Sequence, residues 1–189
     1  MLEKYFRVLE NQFDIEKLQY EVADIISKVK IDASNQISLV HRKGYEKERW
    51  FDGAGSSFSF DKQRTPIRDN DGNIVRRFEE EEFRFLNREL EGTELSRVYS
   101  ELGKDYKISR YRIAILNPKT CYGWHIDEEI RIHVPVFTAP GCFLITEDGV
   151  ATHLPAKGSA YLFHSNNGHH TAMNSDYAIQ RMHLLINII

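Results

Sequence analysis

The sequence predicts a mostly β chain with N-terminal helices, its C-terminal part wound as a jelly roll, and three observations predict it. From Tyr106 onward, short runs rich in β-branched and aromatic residues follow one another at close intervals. Turn signals such as Asn117-Pro118 and Glu147-Asp148-Gly149 separate these runs, the pattern of a sandwich or barrel. Before Tyr106, apolar residues recur at three- and four-residue spacing, which is helical. A length of 189 residues suits one domain with a sizeable core.

Taken in order, residues 5–9 read as a short strand, and Asp14 as the N-cap of a helix carrying Ile15, Leu18, Val22, Ile25, Ile26 and Val29 on one face. That helix is expected to pack across the back of a sheet. Gln36 to Arg42 reads as a strand, with His41 a core or surface residue. Residues 50–75 hold Trp50-Phe51-Asp52-Gly53, Arg64-Thr65-Pro66 and the turn signal Asp71-Gly72. Their aromatics argue against pure disorder, so the segment is expected to be a lid or substrate loop, with a surface excursion as the alternative. The glutamates between Phe78 and Leu90 read as a solvated face. Thr93 caps a short helix that Gly103 should end. Strands follow over 106–116, 130–137, 142–146, 150–154, 159–163, 170–173 and 179–188. An arrangement of eight strands in two facing sheets would be a double-stranded β-helix of cupin type. Residues 1–105 then form a helical and loop support and 106–189 the core of a single domain.

A formal charge of −3 and the lack of a basic stripe interleaved with aromatics give no reason to expect nucleic acid. The partner expected is a small molecule or a peptide. The N-terminus has no basic-then-apolar signal pattern and no run long enough to cross a bilayer, so no membrane and a cytoplasmic location are expected. Cys121 and Cys142 lack CxxC spacing and read as buried or half-buried thiols.

Of the eight histidines, only His41 precedes position 125, which places the chemistry in the C-terminal third. In Trp124-His125-Ile126-Asp127, an imidazole and a carboxylate two residues apart on an extended strand project to one face and can grip one metal ion. A histidine from a distant antiparallel strand would complete a two-histidine, one-carboxylate face with open positions opposite, as in a non-haem Fe(II) oxygenase. His169 and His170 are the adjacent candidates, and on a strand they point opposite ways. Arg131 and His133 share a strand face. A surface ion pair of Arg131 with Glu128 or Glu129 is the alternative. His153 and His164 read as loop or core residues.

Across residues 106–189 the order of Arg112-Ile-Ala-Ile-Leu-Asn-Pro, Trp124-His-Ile-Asp, Arg131-Ile-His-Val-Pro-Val, Gly158-Ser-Ala-Tyr-Leu-Phe, His170-Thr-Ala-Met-Asn174 and Arg181-Met-His-Leu-Leu-Ile-Asn resembles the aspartyl/asparaginyl β-hydroxylases. These are 2-oxoglutarate- and Fe(II)-dependent dioxygenases, and the likeness is greatest to bacterial members, which include free-proline hydroxylases. The resemblance implies iron ligation by His125, Asp127 and His170, the last chosen over His169 by the His-x-x-x-Asn pattern ending at Asn174. It implies that Arg181 pairs with the distal carboxylate of 2-oxoglutarate, a role that suits a bidentate, permanently charged group. Arg131 and His133 match a pair near the cosubstrate and substrate carboxylates, and His183 is included without a role. Many members of the animal branch lack the carboxylate ligand, whereas Asp127 is present here.

The reaction implied is hydroxylation of an unactivated C–H bond in an amino acid or an Asp/Asn-type side chain, with Fe(II), 2-oxoglutarate and O₂ as cofactor and cosubstrates. The competing readings are a cupin-like binding module without turnover and a zinc hydrolase using the same ligands. Arg181 argues for the oxygenase, since a pure metal-binding module has no need of a dicarboxylate anchor. Substrate choice is expected to lie in the 50–75 loop and around Arg110, Arg112 and Tyr122.

Overall fold

A computed structural model describes residues 4–63 and 65–189. Met1 to Glu3 and Arg64, which the N-terminal and loop readings include, lie outside the described residues. In chain order the elements are β1 (Phe6–Gln12), α1 (Ile15–Lys28), β2 (Gln36–Ser38), β3 (Val40–His41), β4 (Phe85–Leu86), α2 (Glu94–Asp105), β5 (Ile108–Leu116), β6 (Thr120–Cys121), β7 (Ile130–Phe137), β8 (Cys142–Thr146), β9 (Ala151–Thr152), β10 (Ser159–Phe163), β11 (His170–Asn174) and β12 (Arg181–Ile188). Two antiparallel sheets face each other, one in the order β1-β10-β7-β12-β5-β2 and one in the order β6-β11-β8-β9. This is the cupin-like jelly roll that the strand pattern predicts. The larger sheet exceeds four strands because β1 and β2, from the N-terminal half, extend its two edges.

Side chains alternate across that sheet, and the alternation makes two interiors. Tyr111 and Ile113 on β5, Ile132 and Val134 on β7, and Leu184 and Ile186 on β12 face backward. There they pack against Leu18, Val22 and Ile25 of α1 and Leu95, Val98 and Leu102 of α2. This back layer is the main core. Between the sheets the apolar cluster is smaller, with Phe6, Leu116, Leu144, Phe163 and Ala172 among its members. The rest of that space is a cavity of about 990 Å³.

Asp14 caps α1 by accepting from the Lys17 amide at 3.2 Å, and Thr93 caps α2 through the Ser96 amide at 3.1 Å. Gly103 does not end α2. The helix runs on to Asp105 and closes with the Tyr106 amide on the Leu102 carbonyl, so Gly103 lies inside the last turn. The strand expected over Gln36 to Arg42 is split. Its first part pairs with β5 and its second with β4.

Residues 50–75 are more ordered than a loop. Antiparallel bridges join Phe58 to Arg76, Phe60 to Pro66 and Arg68 to Ile74, and Gly72 turns the chain with φ of 85°, a conformation glycine adopts without steric cost.

The glutamate run is only partly a solvated face. Glu80 is buried beside Arg110, with Oε1 2.7 Å from Nε, because β5 carries Arg110 into the interior and that charge needs a partner. Phe85, within that run, is exposed. Of the cysteines, Cys142 is buried as expected, but Cys121 is exposed because β6 is an edge strand. Among the described residues, no helix is long and apolar enough to cross a membrane.

Candidate metal centre

The chain from β6 toward β7 runs beside β11. Tyr122 donates its amide to the Ala172 carbonyl, and His125 and His170 exchange both backbone bonds, at 3.1 and 2.9 Å. His125 therefore sits directly opposite His170, with ring centroids 4.4 Å apart. The sequence reading put His125 and Asp127 on a strand. They lie instead in a loop that is tied to β11 at Tyr122 and His125, and the loop still delivers both side chains to the same point.

His170 is buried, whereas His169 is exposed and turned toward Glu147. Pairing with β8 puts His170 on the inner face, as the alternation of a strand requires. The ligand atoms of His125, Asp127 and His170 all lie within 4.8 Å of one another. His125 Nδ1 stands 2.8 Å from the Gly123 carbonyl oxygen and His170 Nδ1 3.3 Å from that of Gly168. A carbonyl only accepts, so each Nδ1 carries the proton and each Nε2 presents a lone pair. His170 Nε2 is 3.3 Å from Asp127 Oδ2, a buried oxygen with no hydrogen-bond donor among the described residues. Two facing lone pairs in a buried site are unfavourable without a cation between them. The donor set fits a divalent metal ion.

Arg131 secures the carboxylate. Its Nη2 forms an ion pair with Asp127 Oδ1 at 2.6 Å, leaving Oδ2 as the free oxygen. Its partner is thus neither Glu128, which pairs with Arg76 at 2.9 Å, nor Glu129. Burial pushes the Asp127 carboxyl upward, but the positive charge of the Arg131 guanidinium beside it helps to hold the group below its ordinary value. Burial lowers His125 below its ordinary value, which keeps its imidazole neutral and able to ligate.

Arg181 opens β12 on the inner face, buried, and burial pushes its guanidinium down to about 10. No carboxylate pairs with it among the described residues. Its Nη2 donates to His183 Nδ1 at 3.1 Å, and His183 Nδ1 lies 3.3 Å from His133 Nδ1. Since the guanidinium can only donate, His183 Nδ1 is an acceptor and His133 Nδ1 must carry its proton. Burial first, and Arg181 second, push both imidazoles well below their ordinary value. In this arrangement the unpartnered N–H belongs to His183 at Nε2, while His133 presents a lone pair there.

Arg131, His133, Arg181 and His183 line one cavity with the three candidate ligands. A buried guanidinium without a counter-charge calls for an anion, and Arg181 is placed to receive one. Asn174 tethers the end of β11 to the approach to β12, donating to the Leu116 and Ile179 carbonyls at 3.0 and 2.9 Å. Gly55, Ser56 and Phe60, from the segment expected to be a lid or substrate loop, close the cavity from the N-terminal half together with Ser34 and Gln36, for which the sequence reading had no signal. Of the other histidines, His41 is buried and bonded to Asn87, and His153 faces the Cys142 carbonyl away from the centre.

No family model matches the chain, and no curated protein matches it. Among solved structures, it is similar over 98% of its length, and 84% of the other chain, to an oxidoreductase of the 2OG-Fe(II) oxygenase family from Burkholderia pseudomallei, at 12% identity and a TM-score of 0.51. What the two share is the fold. Weaker likenesses are to a Pseudomonas putida prolyl-4-hydroxylase (11% identity, 99% of this chain and 94% of that one, TM-score 0.45) and to a cupin domain from Bordetella pertussis (21% identity, 45% and 85%, TM-score 0.37). The double-stranded β-helix is a scaffold for several chemistries, so function rests on the site.

Proposed function

We propose that this chain is a 2-oxoglutarate- and Fe(II)-dependent dioxygenase that hydroxylates an amino acid or an Asp/Asn-type side chain, as the resemblance to the aspartyl/asparaginyl β-hydroxylases implies. The observation that carries the reading is the buried His170–Asp127 approach of two acceptors at 3.3 Å, in the same cavity as an arginine without a carboxylate partner. When bound, Fe(II) with 2-oxoglutarate and O₂ supplies the oxidation, with decarboxylation of the cosubstrate to succinate.

The residues supply binding and orientation. His125, Asp127 and His170 hold the metal on one face. Arg131 fixes which Asp127 oxygen is free. Arg181 pairs with the distal carboxylate of the cosubstrate, its fork aimed by the His183 imidazole. In the cosubstrate pocket with Arg131, His133 acts through His183, whose Nε2–H is the available donor. Leu144, Phe163, Ala172 and Leu185 make the cavity apolar around these groups, which strengthens every charge interaction inside it.

The test is anaerobic loading with Fe(II), then addition of 2-oxoglutarate, following the visible charge-transfer band of a chelated keto acid. The band is expected in the parent and should weaken at least tenfold in cosubstrate affinity in Arg181→Ala. Absence of the band with iron bound and the protein folded would refute the oxygenase reading in favour of a non-catalytic binding module or a zinc hydrolase.

A further inference from the structure

The turn that follows β8 and the turn that precedes β11 meet at the carboxylate of Glu147. Thr146, the last residue of β8, pairs with His170, the first of β11, so Glu147 emerges beside the residues that lead into the buried ligand histidine. Its Oε2 accepts from the His169 amide at 3.0 Å and its Oε1 from the Tyr5 hydroxyl at 3.3 Å. The His169 amide above all holds the Glu147 carboxyl below its ordinary value, so the acceptor is a carboxylate at neutral pH, and the bond is of the stronger, charge-assisted kind.

Gly168 makes room for this contact. A Cβ at position 168 would lie 2.5 to 2.9 Å from the three carboxylate atoms of Glu147, its nearest neighbours. Gly168 is not among the glycines with positive φ, so its backbone would accept any residue. What a side chain there would displace is the far end of Glu147.

The amide that Glu147 grips and the carbonyl that faces His170 are two ends of one peptide unit. The His169 N–H and the Gly168 C=O share a rigid plane, and that carbonyl oxygen lies 3.3 Å from His170 Nδ1. Fixing the N–H therefore fixes where the C=O points. A peptide whose N–H is bonded to a carboxylate is also a stronger acceptor at its oxygen, because hydrogen bonds in a chain polarise one another. His125 has no such support. Its Nδ1 faces the Gly123 carbonyl, and the N–H of that peptide, on Trp124, has no acceptor among the described residues.

We propose that Glu147 is a positioning residue for His170, acting through the Gly168–His169 peptide to hold the Nδ1 proton and aim the Nε2 lone pair at the metal. The inference rests on the reading of His125, Asp127 and His170 as metal ligands.

The experiment uses the full chain loaded with Co(II), a paramagnetic stand-in for Fe(II). Affinity is measured by competition with a chelator, and the Nδ1 protons of the two ligand histidines are followed by proton NMR, with His125 as the internal control. Glu147→Ala is expected to weaken Co(II) binding by about ten- to a hundredfold and to speed solvent exchange of the His170 proton while leaving that of His125 unchanged. Glu147→Gln keeps an acceptor for the amide and should restore part of both. Gly168→Ala tests the same contact if Glu147→Ala does not fold. It should reproduce the loss in the parent and add nothing in the Glu147→Ala background, since the two changes break one interaction. Unchanged affinity in Glu147→Ala, equal changes at both histidines, or additive effects of the two substitutions would each overturn the proposal and leave the metal reading standing. A parent that binds no Co(II) would overturn the metal reading and this inference with it.

Discussion

At the scale of single residues, the centre depends on which atom of each side chain is free. Backbone carbonyls at Gly123 and Gly168 take the Nδ1 protons of His125 and His170, and Arg131 takes one oxygen of Asp127. What remains is three lone pairs at one point. Removing a group that orients a ligand commonly costs ten- to a hundredfold in metal affinity, so Arg131→Ala should weaken Fe(II) binding by about that factor although Arg131 is not itself a ligand. A competition titration against a chelator measures it. An unchanged affinity would show that Asp127 is oriented by the chain alone.

The elements are held by caps that cross between them. Glu21, in the middle of α1, accepts from the Glu94 and Leu95 amides at 2.8 and 2.9 Å. Those are free donors at the N-terminus of α2, where a negative charge is also favoured by the helix dipole. Glu94 in return accepts from the Asp14 amide at 2.7 Å, at the start of α1. Each helix thus caps the other, which fixes their angle as they pack on the back of the larger sheet. Glu21→Ala leaves two amides at a helix start without partners and should lower stability by about 1–3 kcal/mol. Chemical denaturation reads this directly, and a change below about 0.5 kcal/mol would mean that water replaces the carboxylate. The site should be spared, because α1 and α2 lie on the opposite face of the sheet from it.

For the whole molecule, the cavity imposes a pH dependence. His133 and His183 are buried and held neutral, their folded-state values lying well below the ordinary 6.5, first through burial and then through Arg181. The unfolded chain takes up protons on both near pH 6.5 and the folded chain does not. Their contribution is therefore complete above about pH 6.5 and is lost as the pH falls below it, by up to about 1.4 kcal/mol per pH unit for each histidine. Stability of the metal-free protein measured from pH 7.5 to 5 should fall more steeply in the parent than in His133→Asn/His183→Asn. Parallel curves would mean that the pair titrates in the folded state as it does in the unfolded one.

The fold class was legible because it rests on local signals. Periods of two and of three to four residues, Asp14 and Thr93 as caps, and Asp71-Gly72 as a turn all act within a few positions, and the main strands of the jelly roll follow from them. Of the proposed ligands, His125 and Asp127 were legible as types and spacing, and His170 through the family resemblance. The tertiary structure decided everything that depends on distant residues meeting. It joined β1 and β2 to the larger sheet, buried Glu80 against Arg110 inside a run that reads as solvated, and turned Arg131 to Asp127 instead of to its neighbours Glu128 and Glu129. It also left the unpartnered N–H of the buried imidazole pair on His183 and brought Gln36 and Gly55 to Arg112. The physical reason is one of range. Propensity and alternation are set by the backbone within a few residues, whereas a buried charge takes whichever partner the sheet register places within about 4 Å.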